Sequence, residues 1–294
     1  MYRFEPSEPV ADAIRRLACG ELDGALEWLG GTDRPLDVRI HETRKHLKRL
    51  RALLQLAAAA IEPAALREEM SAARAAAASL AELRGQAALL ACFDALVQRS
   101  PGELGAEAVA RVREVLGPRA EDSAVSDSAI ALASAILTRA RARMGRLALA
   151  TDLAGWDALG PGFRATYRRA FRAYTRAAAR PSAERLHAFR TPEKRHLYHV
   201  ELLERLWEGP LRSQRQELSR LGELLGDHHD LSLLQRTLEG RSELHAESTA
   251  LRAMLDKRLE KLERAAFSLG ARAFAEKPAA ITRRFGAYFR ATHE

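Results

Sequence analysis

The sequence predicts an all-α fold, and three observations support this prediction. Ala, Leu, Arg and Glu dominate the composition, and all four rank high in helix propensity. β-branched residues are sparse, and no stretch shows the two-residue alternation of a half-buried strand. The chain has 294 residues, of which 47% are hydrophobic and 29% are charged. That length and composition allow a sizeable core and exclude a disordered protein.

Prolines mark where the helices are expected to begin and end. The intervals between them suit helices of roughly 12–30 residues, which predicts about eight to ten helices. We expect a polar loop from Gly117 to Ser128 and a central break between Ala154 and Gly162. The prolines that define these intervals are Pro35, Pro63, Pro101, Pro118, Pro161, Pro181 and Pro210.

The two halves of the chain carry the same motif. Residues 35–49 read PLDVRIHETRKHLKR, and residues 181–195 read PSAERLHAFRTPEKR. Both follow P-x3-R-x-H-x2-R-x3-K-R, so every fixed position recurs after 146 residues, close to half of 294. This offset predicts one domain made of two repeats, about 1–153 and 154–294. Helical repeats usually match through their apolar residues, so a match in His, Arg and Lys favours a shared function over shared packing.

On a helix, the first copy of the motif places its cations beside the apolar face. At about 100° per residue, the basic residues form one narrow stripe next to the buried leucines. Lys45 and Arg49 lie on the outer side of that stripe. The residues of the stripe are His41, Arg44, Lys48 and Arg51.

The second copy rebuilds the stripe with two changes. His187, Arg190 and Lys194 repeat the pattern, but Leu197 stands at the position of Arg51. Pro192 is expected to kink this helix because proline removes a helix hydrogen bond. His196 and His199 are additional candidate donors nearby.

These cations predict a polyanionic partner that contains phosphate. Like charges on one stripe repel unless an anion neutralises them, and Arg, Lys and His all donate to phosphate oxygens. The formal net charge of +8 and the sequence pI near 9.9 agree with this. Because His charge changes near neutral pH, His41 and His187 predict an affinity that rises as the pH falls towards about 6.

A second basic ridge has an arginine at every fourth residue. Arg168 and Arg172 flank aromatic residues that we expect to be packed, so these two are predicted to line a groove. Arg176 is interpreted as part of a solvated face. The full ridge comprises Arg164, Arg168, Arg172 and Arg176.

The sequence predicts no catalytic residue, no metal ligand and no cofactor. His228, His229 and Asp230 resemble part of a metal-dependent phosphohydrolase site, but the partner motifs are missing, so a capping or hydrogen-bonding role is predicted for them. In the first motif, the spacing of His41 and His46 is one residue too long for a zinc-protease helix. No P-loop, dinucleotide fingerprint or nucleophile elbow occurs.

The chain is expected to be cytoplasmic and not attached to a membrane. Its two cysteines, Cys19 and Cys92, show no metal-type spacing and suit a reducing compartment. The first residues contain acids and prolines where a secretory signal would be apolar. The longest apolar run, residues 87–93, is far shorter than a membrane span.

These motifs resemble the CHAD family, whose name stands for conserved histidine α-helical domain. Its hallmark helix looks like H-x2-R-x3-(K/R)-R-L-R, which residues 41–51 fit closely and residues 187–195 fit in their fixed positions. Residues 167–169 and 225–231 are similar to family patterns, and residues 274–278 match more weakly. Arg84 is followed by glycine where the family often has Asp, so the acid that would orient Arg84 is missing.

The resemblance implies two helical bundles related by pseudo-two-fold symmetry around a basic central groove. It also implies inorganic polyphosphate as the ligand and association with polyphosphate granules. Lys45, Arg168 and Arg172 are secondary choices for the binding site. Carried over by position, the main site residues are His41, Arg44, Lys48, Arg49, Arg51, His187, Arg190, Lys194 and Arg195.

Three other functions stay open at this point. A general polyanion-binding or RNA-binding protein is the second choice, since basic stripes also suit a nucleic-acid backbone. It lacks support from a helix-turn-helix, zinc-finger or RNA-recognition signature. A metal-dependent phosphohydrolase and a protein-interaction scaffold rank below it. The sequence leaves the oligomeric state unknown.

Overall fold

The computed structural model describes residues 2–5, 7–81, 85–117, 123–150 and 155–293. Within these ranges the chain forms eleven α-helices and no strand beyond one isolated bridge between Ile61 and Leu149, so the predicted all-α fold is confirmed. None of these helices combines the length and apolarity needed to cross a bilayer. The helices are α1 (Val10–Gly30), α2 (Leu36–Leu56), α3 (Pro63–Ser79), α4 (Gly85–Arg99), α5 (Ala106–Leu116), α6 (Ser123–Met144), α7 (Gly155–Ala179), α8 (Ala183–Leu202), α9 (Glu208–Leu238), α10 (Ser248–Ala273) and α11 (Pro278–His293).

The two copies of the motif lie on helices that touch each other. The first copy occupies α2 and the second occupies α8, and the two helices pack together. Each also packs against the helix before it in the chain, α1 or α7. On α2 the predicted apolar face is buried, and it comprises Ile40, Leu47, Leu50 and Leu54.

The apolar residues form one large core and one smaller cluster. The large core takes side chains from α1, α2, α3, α6, α7, α8, α9, α10 and α11. In the smaller cluster, Phe93 of α4 and Val112 of α5 pack with Leu234 of α9 and Leu255 of α10. Two helices from early in the chain therefore pack onto two from late in the chain.

The predicted repeat boundary at about residues 153 and 154 lies outside the described residues, within the segment 151–154. The two-repeat division and the pseudo-two-fold symmetry stay predictions. Arg84 lies outside the described residues as well.

Several prolines mark helix starts as expected, but two lie inside helices. α3 begins at Pro63, α2 begins directly after Pro35, and Pro210 lies in the first turn of α9, where a missing N–H costs nothing. The break expected between Ala154 and Gly162 is wrong from Gly155 onwards, because α7 begins there and continues through Pro161, while Ala154 lies outside the described residues. Pro192 lies inside α8, and the kink expected there stays a prediction.

Two further expectations need correction. The described residues alone form eleven α-helices, more than the eight to ten predicted. The loop expected to end at Ser128 is too long, because α6 begins at Ser123, while residues 118–122 of that loop lie outside the described residues. The start of α6 is rich in Ser and Ala, and its serines made this stretch resemble a polar loop although it is helical.

Close packing explains the glycine that was taken for a helix break. A β-carbon on Gly162 would lie 2.2 Å from the carbonyl oxygen of Leu56 and 2.3 Å from that of Gln55. Such distances are far inside van der Waals contact, so only glycine allows the backbone of α7 to meet the end of α2 here. Gly162 therefore marks a helix–helix contact.

Replacing Gly162 with alanine is expected to destabilise the protein by at least about 1–3 kcal/mol, because the clash is with backbone that has to move. The matched control is Gly20→Ala on α1, where a β-carbon would meet nothing within 4 Å. That change should leave the free energy of unfolding unchanged or raise it by about 0.5–1 kcal/mol. Urea denaturation measures both; equal effects would contradict the close contact.

Candidate functional site

On α2, two residues of the basic stripe are exposed, and Arg44 and the adjacent Lys45 donate hydrogen bonds to protein acceptors. His41 and Lys48 are exposed. Arg44 donates from Nη1 to the carbonyl oxygen of Ala77 on α3 over 3.0 Å. Lys45 donates from Nζ to the Glu42 carboxylate over 2.9 Å. Burial opposes ionisation of Glu42, but this hydrogen bond and the nearby cations outweigh it and lower the pKa of Glu42.

Arg49 connects α2 to α8. Its Nη2 donates to the Glu201 carboxylate over 2.7 Å, and its guanidinium lies 5.1 Å from the centre of the Tyr2 ring. The Tyr2 hydroxyl in turn donates to the Arg49 carbonyl oxygen over 2.6 Å. Only 23% of the Arg49 side chain is exposed. Arg49 therefore has a structural role, and its predicted phosphate contact would require the ion pair to open.

Four arginines from four helices converge where α2 meets α8. Arg51 comes from α2, Arg74 from α3, Arg169 from α7 and Arg195 from α8, and we call them the arginine cluster. Burial, reinforced by the charges of the other three, lowers the pKa of Arg195 to about 10. The pKa of Arg51 is lowered by burial and by Arg74. Within the described part of the chain, no salt bridge joins any of the four to a carboxylate.

The cluster borders an open pocket. The pocket has a volume of about 480 Å³ and lies between α2, α3 and α7. Arg67, Arg74 and Arg169 line it, with Met70 among its apolar residues. The side-chain oxygen of Gln55, also in the lining, is buried and has no hydrogen-bond partner within the described ranges. This space allows a ligand to reach the cluster from outside.

Two members of the arginine cluster were not among the predicted site residues. Arg169 follows Arg168 in the chain but is not part of the four-residue ridge, and Arg74 lies outside both motifs. Arg74 and Arg169 reach the cluster because of the way α3 and α7 are packed in the fold. Helical periodicity in the sequence does not predict that packing. The neighbouring ridge pointed to Arg168 and Arg172 instead.

The structure places Arg168 and Arg172 on the exposed surface of α7. Arg168 lines a separate pocket of about 460 Å³ with Arg164 and Trp156. The carbonyl oxygen of Arg172 accepts a hydrogen bond from Nε of Arg176 over 3.3 Å. Both side chains are available to a ligand, and their predicted role as groove residues stays a prediction.

The second motif faces α9. The His187 ring stacks on the His229 ring with 4.2 Å between their centres. A β-carbon on Gly226 would lie 3.5 Å from Nη2 of Arg190, and one on Gly222 would lie 2.9 Å from Nζ of Lys194. The two glycines therefore leave room for the basic side chains of α8.

The His228–Asp230 segment belongs to this surface. The predicted capping role is wrong, because these residues lie inside α9, whereas the hydrogen-bonding role is confirmed for His228. His228 is buried and its Nδ1 lies 3.4 Å from the Ser232 hydroxyl. Burial, followed by the charge of His187, lowers the pKa of His229. His229 is thus a neighbour of the second motif that the sequence did not assign to the site.

A family model for the CHAD domain matches residues 21–239. The chain belongs to the CHAD family. The match extends from α1 to the end of α9 and includes both motif helices. No curated protein sequence matches the chain.

Two solved structures share the CHAD fold with this chain. One is PptA from Streptomyces chartreusis, with a TM-score of 0.61 and 16% identity over 92% of this chain and 100% of PptA. The other is the CHAD domain from the plant Ricinus communis, with a TM-score of 0.53 and 17% identity over 94% of each chain. At these identities the comparison shows the fold alone.

The second motif helix of this CHAD domain carries a buried polar core. Glu193, His196 and His199 are fully buried, at the positions that Leu47, Leu50 and Leu53 occupy in the first copy. They are therefore not surface donors, and the expectation for the two histidines is wrong. The polar residues replace leucines, so an apolar pattern could not reveal that this face is buried.

Both histidines are neutral in the fold. Burial lowers the pKa of His196 to about 3 and that of His199 to about 4. Nε2 of His199 donates to the carbonyl oxygen of Ala52 over 2.9 Å. The His196 ring lies edge-on to Tyr167, with 4.9 Å between the ring centres, and neither of its nitrogens has a hydrogen-bond partner among the described residues.

Acid should therefore destabilise the protein through these histidines. The unfolded chain binds protons to them below a pKa of about 6.5, whereas the folded chain does not until about pH 3–4. Stability is then lost as the pH falls from about 6.5 to 4. His196→Leu, which restores the residue of the first copy, should reduce the slope of unfolding free energy against pH by up to about 1.4 kcal/mol per pH unit.

Urea denaturation between pH 4.5 and 7.5 measures this slope. The control is Leu132→Ala on α6, which changes an exposed side chain that carries no titratable group. It should leave the slope unchanged. Parallel profiles for His196→Leu and the wild type would contradict a neutral, buried His196.

Proposed function

We propose that this CHAD protein binds inorganic polyphosphate without transforming it. One observation carries the proposal: four arginines from four helices converge with no carboxylate pairing among the described residues. Membership of the CHAD family, which matches most of the chain, supports a polyphosphate-related role. The proposed ligand lies in a basic groove between α2 and α8 and contacts both motifs.

The electrostatics of the cluster favour an anionic ligand with many charges. Each arginine is placed near others of the same charge, which raises the free energy of the unliganded fold. A phosphate chain would remove this repulsion and accept forked hydrogen bonds from each guanidinium. Because the arginines come from different helices, one extended ligand would contact all of them at once.

The motif residues would extend the contact on both sides of the cluster. His41, Arg44 and Lys48 would bind successive phosphates on α2, with Lys45 in support. On α8, His187, Arg190 and Lys194 would do the same beside Arg195. The proposal includes a cytoplasmic location at polyphosphate granules and assigns no catalytic residue, metal or cofactor.

RNA binding is the second candidate, since exposed arginines on α7 would also suit a nucleic-acid backbone. The two differ in what surrounds the phosphates. A bare phosphate chain brings several charges close together, whereas RNA separates them with sugars and carries bases that favour aromatic stacking. Competition between the two ligands therefore separates the candidates.

In a competition assay at physiological salt, unlabelled polyphosphate should displace labelled long-chain polyphosphate far better than RNA or duplex DNA at equal phosphate concentration. The physical reason is the close spacing of charge on a bare chain facing clustered arginines. Equal competition by RNA would make general polyanion binding the leading function. Shortening of the labelled chain with added Mg²⁺ would instead indicate a phosphohydrolase.

The double variant Arg51→Gln, Arg195→Gln should bind polyphosphate at least about tenfold more weakly, since one charged hydrogen bond contributes about 1.5–3 kcal/mol. The same variant should unfold at a higher temperature at low salt, because mutual repulsion is relieved. Fluorescence anisotropy and thermal unfolding measure the two quantities.

The matched control is Arg139→Gln, Arg176→Gln, which removes two charges from exposed positions. It should change affinity by less than about threefold, since exposed charges separated from the ligand are screened by salt. Equal losses in both double variants would show that only net charge matters. That result would remove the arginine cluster from the site.

A further inference from the structure

A carboxyl group lies buried directly behind the cations of the second motif. Glu193 of α8 falls between Arg190 and Lys194 in the sequence and is completely buried. Neither of its carboxyl oxygens has a hydrogen-bond partner among the described residues. The first copy of the motif has Leu47 at this position, so the apolar core does not require an acid here.

α9 provides the space that Glu193 and Lys194 share. A β-carbon on Gly222 would lie 3.1 Å from Oε2 of Glu193 and 2.9 Å from Nζ of Lys194. The buried carboxyl and the ammonium therefore approach the same point on the surface of α9. Nε of Arg190, one turn earlier on α8, is also buried and finds no hydrogen-bond partner in the described part of the chain.

The charges around Glu193 come mainly from its own helix. Burial raises the pKa of Glu193 to about 8, against the opposing charges of Lys194 and Arg190. The charge of Glu193 also contributes to the raised pKa of Tyr198, which lies later on α8. Burial, Arg49 and Glu201 affect the pKa of Tyr198 more strongly. α9 presents glycines at this point, and the charge of Arg190 also acts on His229 of α9, whose pKa it helps to lower.

We propose that Glu193 is a positioning residue that couples polyphosphate binding at the second motif to the uptake of one proton. When its carboxyl is protonated, Arg190 and Lys194 are free to point towards the ligand. When it is ionised, it attracts both cations inwards and repels the incoming phosphates. On binding, one proton from the solvent joins a carboxylate oxygen of Glu193, and on release it returns to the solvent.

This inference rests on the proposed function, and it gives a definite sign for the pH dependence. A polyanion nearby raises the pKa of Glu193 further in the complex. Affinity is therefore unaffected by Glu193 well below pH 8 and falls as the pH rises through about 8, by at most tenfold per pH unit.

The test measures affinity for long-chain inorganic polyphosphate at constant ionic strength between pH 7.5 and 9.0. Wild-type affinity should fall about threefold to tenfold across this range. Glu193→Gln, which is isosteric and cannot ionise, should retain the affinity seen at pH 7.5 throughout. Glu193→Leu, which restores the residue of the first copy, should behave in the same way if the Gln variant fails to fold.

The matched control is Glu184→Gln, which removes an exposed carboxyl from the same helix. It should keep the wild-type pH dependence. A direct readout on the unmodified protein is titration calorimetry at pH 8 in two buffers of different ionisation enthalpy. The wild type should take up a measurable fraction of a proton per polyphosphate site, and Glu193→Gln should take up none.

The results distinguish a failure of the proton coupling from a failure of the proposed polyphosphate binding. If polyphosphate binds and the wild type takes up no proton at pH 8, the coupling is overturned while the proposed function stands. Identical pH profiles in the wild type and both Glu193 variants would overturn it too. If polyphosphate fails to bind at every pH, the proposed function itself is overturned.

Discussion

The packing of α2 against α8 determines where the cations of this protein lie. On α2 the basic stripe runs beside the apolar face, so burying Leu47, Leu50 and Leu54 carries Arg51 to the edge of the core. Each such leucine contributes about 1.5–3 kcal/mol through burial. The hydrophobic contact thus offsets the repulsion between Arg51 and Arg195 that it creates. A basic stripe opposite the apolar face would have faced solvent, and its arginines would have had no reason to converge.

The placement of acidic residues also distinguishes the arginine cluster from other arginines of the protein. Elsewhere the chain pairs its arginines closely: the buried carboxylate of Glu204 lies 3.1 Å from Arg3 and 2.5 Å from Arg215. Arg49, only two residues from Arg51, has Glu201. The arginine cluster differs from these pairs, since burial and like charge lower the pKa values of Arg51 and Arg195. Acids in this protein thus pair with arginines around the arginine cluster, and none forms a salt bridge with its four members in the described part of the chain.

The sequence predicted the features that repeat along one helix and missed those that depend on how helices meet. Helical periodicity located the buried face of α2, and the 146-residue offset located both motif helices. Arg74 and Arg169 join the site through the packing of α3 and α7, which leaves no trace in periodicity. A glycine beside a proline, such as Gly162, is typical of a helix break. Only the backbone of α2 next to it shows that Gly162 lies at a helix–helix contact.

Glu193 shows a subtler limit of sequence reasoning. Aligning the two motifs by their cations matches every fixed position and draws attention away from the residues between them. The substitution of Leu47 by an acid in the second copy is visible in the sequence, yet a charged residue on a helix is ordinarily exposed. Only burial distinguishes this carboxyl from a solvated one.

The smaller apolar cluster has a consequence for how the chain folds. Phe93 and Val112 bury their side chains against residues that lie more than a hundred positions later, including Leu234 and Leu255. During synthesis, α4 and α5 would leave the ribosome long before α9 and α10, with their apolar faces still open to water. Contacts so distant in sequence form slowly because a long loop has to close first. The nascent first half therefore passes through a period in which it is exposed to aggregation, until the last third of the chain arrives to cover it.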